Sequence, residues 1–305
     1  MAIELREQLR IDYLEDERLR QAGVALGILR LDELHPLVSG NKWFKLKENL
    51  KAARDAGCNR LLTFGGAYSN HLLATAAAAK YFSFAATGIV RGLHAQALLS
   101  DTLQECMTLG MDLVFVSREV YSRKGDDVYL DALQQRYPDA WIVPEGGSNA
   151  AGLSGAAGIA AYIPSDSSHV ALALGTGTTF AGIRTALDNR IAMTGFPVMK
   201  GGAYLETPLG VLIPPAQNNW LLSNDYHFGG FGRHTDTLIT FMNDFYEQHS
   251  IPLDFVYTGK MMYGIFDRIR TGQIPAGSRV ICVHTGGLQG NRSIAQRLCY
   301  GPSYS

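Results

Sequence analysis

The chain has 305 residues, 47% hydrophobic and 18% charged, so it can bury a sizeable core and is too apolar for a disordered chain. Its 27 basic and 28 acidic residues leave a net charge of −1 with no basic face or charged tail, which argues against nucleic acid and membrane surfaces as partners. The longest apolar runs, such as Ala74 to Ala79, are too short to span a bilayer, and the charged start MAIELREQLRIDYLEDERLR reads as neither a signal nor a transit peptide.

In chain order, Val24 to Leu31 alternates poorly and is a strand candidate. Leu37 to Leu46 (LVSGNKWFKL) turns on Ser39-Gly40-Asn41 and opens a helix that runs to about Ala56 and stops at Gly57. Trp43, Leu46, Leu50 and Ala53 recur on one face of it, and Ser39 or Asn41 would cap it. Lys42 falls in the first turn. There the positive end of the helix dipole disfavours an ammonium, as burial would, and those conditions make a lysine nucleophilic near neutral pH. The opposing reading is a solvated lysine beside Lys45 and Lys47.

Arg60 to Phe64 reads as a short buried strand. It runs into GGAYSNH (Gly65 to His71) and a helix of small residues. Strands are expected at Phe84 to Val90, Asp112 to Val116 and Trp141 to Val143, with helices at Asp101 to Leu109 and Asp127 to Tyr137. After EGGSNAAGLSG a second series begins: strand His169 to Leu174, the turn GTGTT into a helix, and strand Thr194 to Met199. Residues 201 to 235 have no clean period and read as irregular, a lid or interface segment. Helix Thr237 to His249, strand Leu253 to Tyr257, helix Lys260 to Arg270 and strand Arg279 to His284 follow. This alternation predicts parallel, doubly wound α/β sheets. The centre, 46–148, reads as a smaller α/β unit inserted in a larger one made of 1–45 and 149–305.

Glycine is frequent, at 33 residues, and it clusters where β-like runs end. In parallel sheets those ends form the ligand crevice, and glycine admits a ligand close to the backbone. GTGTT (Gly175, Thr176, Gly177, Thr178, Thr179) would aim amides and hydroxyls at an anion, naturally a phosphate; a plain tight turn is the other reading. The dinucleotide fingerprint fails because Phe180 stands at its third glycine, and a Walker loop fails because Asp254 replaces the glycine upstream of Gly259-Lys260. Ser69 and Asn70 lie at a helix N-terminus, where they either receive a carboxylate or merely cap. Tyr257 and Thr285 are expected at strand ends on the same edge. His71 and His284 are loop candidates for the pocket or for a structural role. The eight histidines show no metal-ligand spacing, and Cys58, Cys106, Cys282 and Cys299 form no C-x-x-C pair. The cysteines suit a reducing cytoplasm.

SGNKWFKLKENL, LLTFGGAYSNHLLATAAAA, GTGTT, VYTGK and HTGG together resemble, in order and over nearly the whole chain, pyridoxal-phosphate enzymes of the tryptophan-synthase β fold. More narrowly the chain resembles the 1-aminocyclopropane-1-carboxylate deaminases and D-cysteine desulfhydrases. The resemblance implies two doubly wound α/β domains with pyridoxal 5'-phosphate in the cleft between them, and a homodimer. It implies Lys42 as the Schiff-base lysine, Asn70 as partner of the cofactor's ring hydroxyl, and Gly175 to Thr179 as the phosphate cup. Ser69, Asn70 and His71 would bind the substrate carboxylate, with Ser69 also a proton-transfer group. Tyr257 would lie beside the cofactor ring and Thr285 would face its nitrogen.

The deaminase branch has an acidic residue after the tyrosine and leucine before the final Gly-Gly; here Thr258 and Thr285 stand there, as in desulfhydrases. A hydroxyl near the pyridine nitrogen leaves it largely unprotonated, which suits prompt loss of a β leaving group. The chain departs from the family in its shortness, in Asp-Phe-Val for Asp-Pro-Val, and in GGLQG for GG-x-P-A-L. The expected activity is elimination from D-cysteine to pyruvate, hydrogen sulfide and ammonia. The alternatives are a 1-aminocyclopropane-1-carboxylate or D-serine deaminase, and a cofactor-binding protein with little catalysis.

Overall fold

A computed structural model of the chain describes residues 9–38 and 40–301. The chain divides into two compact units: one is Lys42–Gly155, and the other is built from the described residues of Arg6–Asn41 and Ala156–Ser305. Among the described residues no helix is long and apolar enough to cross a membrane.

The strands are β1 (Ile11–Tyr13), β2 (Ala25–Arg30), β3 (Arg60–Gly65), β4 (Ala85–Arg91), β5 (Met111–Val116), β6 (Ala140–Val143), β7 (His169–Leu174), β8 (Ala192–Pro197), β9 (Trp220–Leu222) and β10 (Arg279–His284). Most are short, near-continuous apolar runs. In β2, β7 and β10 the last five residues of each are buried, as expected of parallel strands covered on both faces. The sheet of the smaller unit is parallel throughout, in the order β5-β4-β3-β6. That of the larger unit runs β1-β2-β10-β7-β8-β9, and only β1 is antiparallel to its neighbour. The doubly wound parallel architecture expected from the alternation of elements is therefore present. In the smaller unit the helix Asn70–Phe82 buries every residue from His71 to Ala79; its alanines let it lie close to the strands.

Each sheet has a point where successive strands leave in opposite directions. In the smaller sheet it lies between β3 and β6; in the larger it lies between β10 and β7. Loops at the carboxyl ends of such strands form the binding crevice of open α/β sheets. The loops at these points are Gly65–Asn70 and 144–147 in one unit, and 175–179 and 285–287 in the other.

Two expectations are corrected. Leu253 to Tyr257 is not a strand. The buried Asp254 carboxylate accepts the amides of Val256 (3.0 Å), Tyr257 (2.8 Å) and Thr258 (2.8 Å), and the Thr258 hydroxyl (2.7 Å). Those amides are thus committed to a turn, and Tyr257 precedes the helix Thr258–Arg270 rather than ending a strand. The segment 201–235 is not wholly irregular. It contains the helix Glu206–Leu212 and the edge strand β9. Leu209 is buried, with Cδ2 3.1 Å from where a Cβ on Gly177 would sit, so this helix packs on the GTGTT turn.

Removing the Asp254 carboxylate strands several buried donors at once. Asp254→Ala is expected to lower the unfolding free energy by about 3 kcal/mol or more in urea titration. A loss below about 1 kcal/mol would show that the turn stands without it.

Candidate active site

In the larger unit the site grows from three loops. The turn after β7 opens the helix Thr178–Ala186, whose N-cap is Gly177 at φ +82° with no side-chain cap. The Thr176 and Thr178 hydroxyls are 3.1 Å apart. Thr178 and Thr179 are buried, Gly175 half-buried and Thr176 exposed. Tyr257 lies across Gly175: a Cβ there would come within 3.3 Å of its ring and 3.4 Å of its hydroxyl. Phe231 meets Tyr257 edge-on, with centroids 6.1 Å apart. After β10, Thr285 is buried, and Gly40 is pressed against it so closely that a Cβ would stand 1.9 Å from the Thr285 carbonyl oxygen. Gly40 also has φ +65°, so no side chain fits there on either count. Asn41 opens the helix Asn41–Asp55, and its Nδ2 donates to Thr179 Oγ1 at 2.8 Å. The larger unit thus brings together Gly175 to Thr179, Tyr257, Thr285 and the two residues that precede Lys42.

His284 is fully buried and belongs to the frame. Its Nε2 donates to the Pro252 carbonyl (2.8 Å), and its Nδ1 lies 3.3 Å from Asp32, which pairs with Arg30 at 2.7 Å. Lys260 is likewise buried. Its ammonium donates to the carbonyls of His227 (2.8 Å) and Gly230 (2.7 Å), and burial brings its pKa down to about 8.

In the smaller unit Lys42 is the second residue of its helix and half-buried. Ser39, the other expected cap, lies outside the described residues. Leu46, Leu50 and Ala53 are buried as the period predicts; Trp43 is only half-buried and stacks on Phe82 at 5.9 Å, whereas Phe44 and Lys45 are buried. Ser69 caps the helix Asn70–Phe82, accepting the Leu72 amide at 3.3 Å. Gly65 makes that fold-back possible, since a Cβ there would stand 2.7 Å from Ser69 Oγ. Ser69 and Asn70 remain half-exposed. His71 turns inward, 4% exposed. Thr63 Oγ1 donates to the Val143 carbonyl (2.7 Å), so it accepts from His71 Nε2 (2.9 Å). Burial first, then Lys45 and Lys42, bring the His71 pKa down to about 3, so it is a neutral brace at physiological pH.

Three participants escaped sequence reasoning. Asn41 entered only as a cap, Lys45 only as a solvated neighbour and Lys260 only as part of a failed phosphate loop. Their one outward sign is a polar residue inside an otherwise apolar helix face. Among the described residues no group of three or more His, Cys, Asp or Glu could hold a metal ion.

A family model described as pyridoxal-phosphate dependent enzyme matches residues 12–286. The chain is 27% identical over 297 residues to a putative 1-aminocyclopropane-1-carboxylate deaminase of Pyrococcus horikoshii, covering 92% of this chain and 89% of that one. It is 29% identical to a mitochondrial bifunctional D-cysteine desulfhydrase/1-aminocyclopropane-1-carboxylate deaminase of Arabidopsis thaliana, covering 88% and 73% of the two. The crystal structure of an ACC deaminase homologue superposes with a TM-score of 0.81 at 25% identity, over 97% of this chain and 94% of that one. With two sheets, parallel but for the edge strand β1, whose switch-point loops carry the motif residues, and a family match spanning almost the whole sequence, the chain belongs to the pyridoxal-phosphate dependent enzymes of the tryptophan-synthase β-like fold.

Proposed function

We propose that this enzyme is a carbon–sulfur lyase that converts D-cysteine to pyruvate, hydrogen sulfide and ammonia by α,β-elimination. The observation that supports it most is the Asn41–Thr179 hydrogen bond at 2.8 Å, because it ties the residue before Lys42 to the turn we assign to the cofactor phosphate. That turn suits a phosphate. It offers threonine hydroxyls and the first-turn amides of a helix without a side-chain cap.

When bound, pyridoxal phosphate supplies an aldehyde for amines and a ring that draws electrons from the substrate's α-carbon. The other roles fall to the chain. Lys42 would hold the cofactor, and its Nζ, when free, would take the substrate's α-proton as general base. Ser69 and Asn70, at the positive end of the Asn70–Phe82 helix, hold the substrate carboxylate, and the Ser69 hydroxyl is a second proton-transfer group. Asn70 would also bind the cofactor's ring hydroxyl. His71, committed to Thr63, supports that turn from beneath. Tyr257 would help hold the ring, and Thr285 would offer its nitrogen a hydroxyl, which cannot keep a proton there as a carboxylate would.

The names of the relatives carry both desulfhydrase and ring-opening deaminase activity. Thr258 favours the former reading, since its hydroxyl is engaged by Asp254 and no carboxylate follows Tyr257. We place the enzyme in the cytoplasm as a homodimer; its four cysteines are free thiols, in keeping with a reducing compartment.

Purified enzyme is expected to release sulfide and pyruvate from D-cysteine faster than ammonia from 1-aminocyclopropane-1-carboxylate or D-serine. The opposite ranking across that panel transfers the assignment to the deaminases, and inertness to every amino acid tried leaves a cofactor-binding protein. Lys42→Ala should lose both the visible absorbance of the bound cofactor and turnover, the latter on the order of a thousandfold or more. Normal turnover in that variant removes the mechanism. Thr285→Glu should slow elimination about tenfold or more; unchanged rates contradict the account of the ring nitrogen.

A further inference from the structure

Lys45 is a buried basic group that the mechanism above does not use. It is 3% exposed, and among the described residues no carboxylate pairs with it. Its Nζ donates to the Gly146 carbonyl, in the turn after β6. Gly146 and Gly147 in that turn have φ +69° and +70°, both in the left-handed region. The aliphatic stem of Lys45 lies on Gly147: a Cβ there would meet Lys45 Cβ at 3.3 Å and Cδ at 3.6 Å. The same position lies 3.8 Å from His71 Cε1. One helical turn later Asn49 adds a second clamp. Its Nδ2 donates to the Lys45 carbonyl (2.8 Å), and its Oδ1 accepts from Trp141 Nε1 (3.1 Å) and Asn149 Nδ2 (2.8 Å).

We propose that Lys45 is a positioning residue for Lys42: its hydrogen bond to Gly146 sets the first turn of the Asn41–Asp55 helix against the β6 turn, from which the Ser69–Asn70 turn is also braced through His71 and Thr63. Residues that must act on one α-carbon are thereby referred to a common support within the smaller unit. Burial, and then the neighbouring Lys42, lower the Lys45 pKa well below the usual lysine value, so its surroundings disfavour the charged form. A methionine would fill the same space without the donor, so packing alone does not account for a lysine at this point.

The inference rests on Lys42 being the cofactor lysine, which is tested separately by reducing the loaded enzyme with borohydride and mapping the modified peptide. Label on another lysine refutes that reading, whatever Lys45 does. For Lys45 the readouts are kcat, KM and the rate at which an amine-directed acylating reagent modifies Lys42 in cofactor-free protein, followed by mass spectrometry. Lys45→Met is expected to lower kcat about 10–100-fold, with KM changed less than about threefold, and to alter Lys42 acylation at least about threefold. Lys45→Gln, an uncharged donor, should recover a large part of the lost kcat, whereas the permanently charged Lys45→Arg should not. Gly147→Ala, which crowds the Lys45 stem, should lower kcat in the native background and add little to Lys45→Met. Wild-type kcat and Lys42 acylation in Lys45→Met overturn the proposal. So do rescue by arginine but not glutamine, and full additivity with Gly147→Ala.

Discussion

The start of the Lys42 helix is fixed by a steric exclusion and a hydrogen bond. Gly40 occupies a place where any side chain would collide with the Thr285 carbonyl, at 1.9 Å. Asn41, next in sequence, gives its side-chain amide to Thr179. Such a bond contributes only about 1 kcal/mol net, so the energetic weight falls on the glycine, which no other residue can replace without moving the β10 loop. The Gly-Asn pair before Lys42 therefore has a physical reason in the larger unit. It anchors the entry of the helix to the two loops that flank that sheet's switch point.

Around those loops the larger unit uses buried polar groups where a sheet ladder would otherwise serve. Asp254 gathers three successive amides. Asn291 accepts from Phe255 N (3.1 Å) and donates to the Leu253 carbonyl (2.9 Å), to which Tyr300 also donates (2.8 Å). Lys260 closes the His227–Gly230 turn. A segment held through side chains keeps its own geometry; a strand must match its neighbour's register. Tyr257 can then be set across Gly175 at an angle no ladder would impose.

Much of this was legible in the sequence because glycine punctuates the ends of buried strands and because helix and strand alternate with short loops. The switch-point turns at Gly65, Gly175 and Gly286 were read from that pattern. The run Leu253 to Tyr257 misled, since an apolar run of that length looks alike as a strand or as a buried turn. What separates them is where its amides donate, and Asp254 reveals that only once folded. The segment 201–235 hid a helix and an edge strand among its glycines and prolines for the same reason: Leu205 and Leu209 are buried by tertiary contact, not by a period long enough to see. On the Lys42 helix, periodicity favoured Trp43 over Lys45, because no hydropathy pattern assigns a lysine to the interior.

That last failure bears on the chemistry. A general base must accept a proton, and a fixed positive charge beside it opposes the transfer through a poorly screened interior. Lys42 has two basic neighbours in its own unit, Lys45 and His71; burial lowers the pKa of both, that of His71 to about 3. Each still donates hydrogen bonds, to Gly146 and to Thr63. Both side chains thus give directional support to the turns around Lys42 from surroundings that disfavour added charge. A carboxylate partner for Lys45 would favour its ammonium and fix a buried ion pair beside Lys42, whereas the pair of left-handed glycines offers it a carbonyl instead.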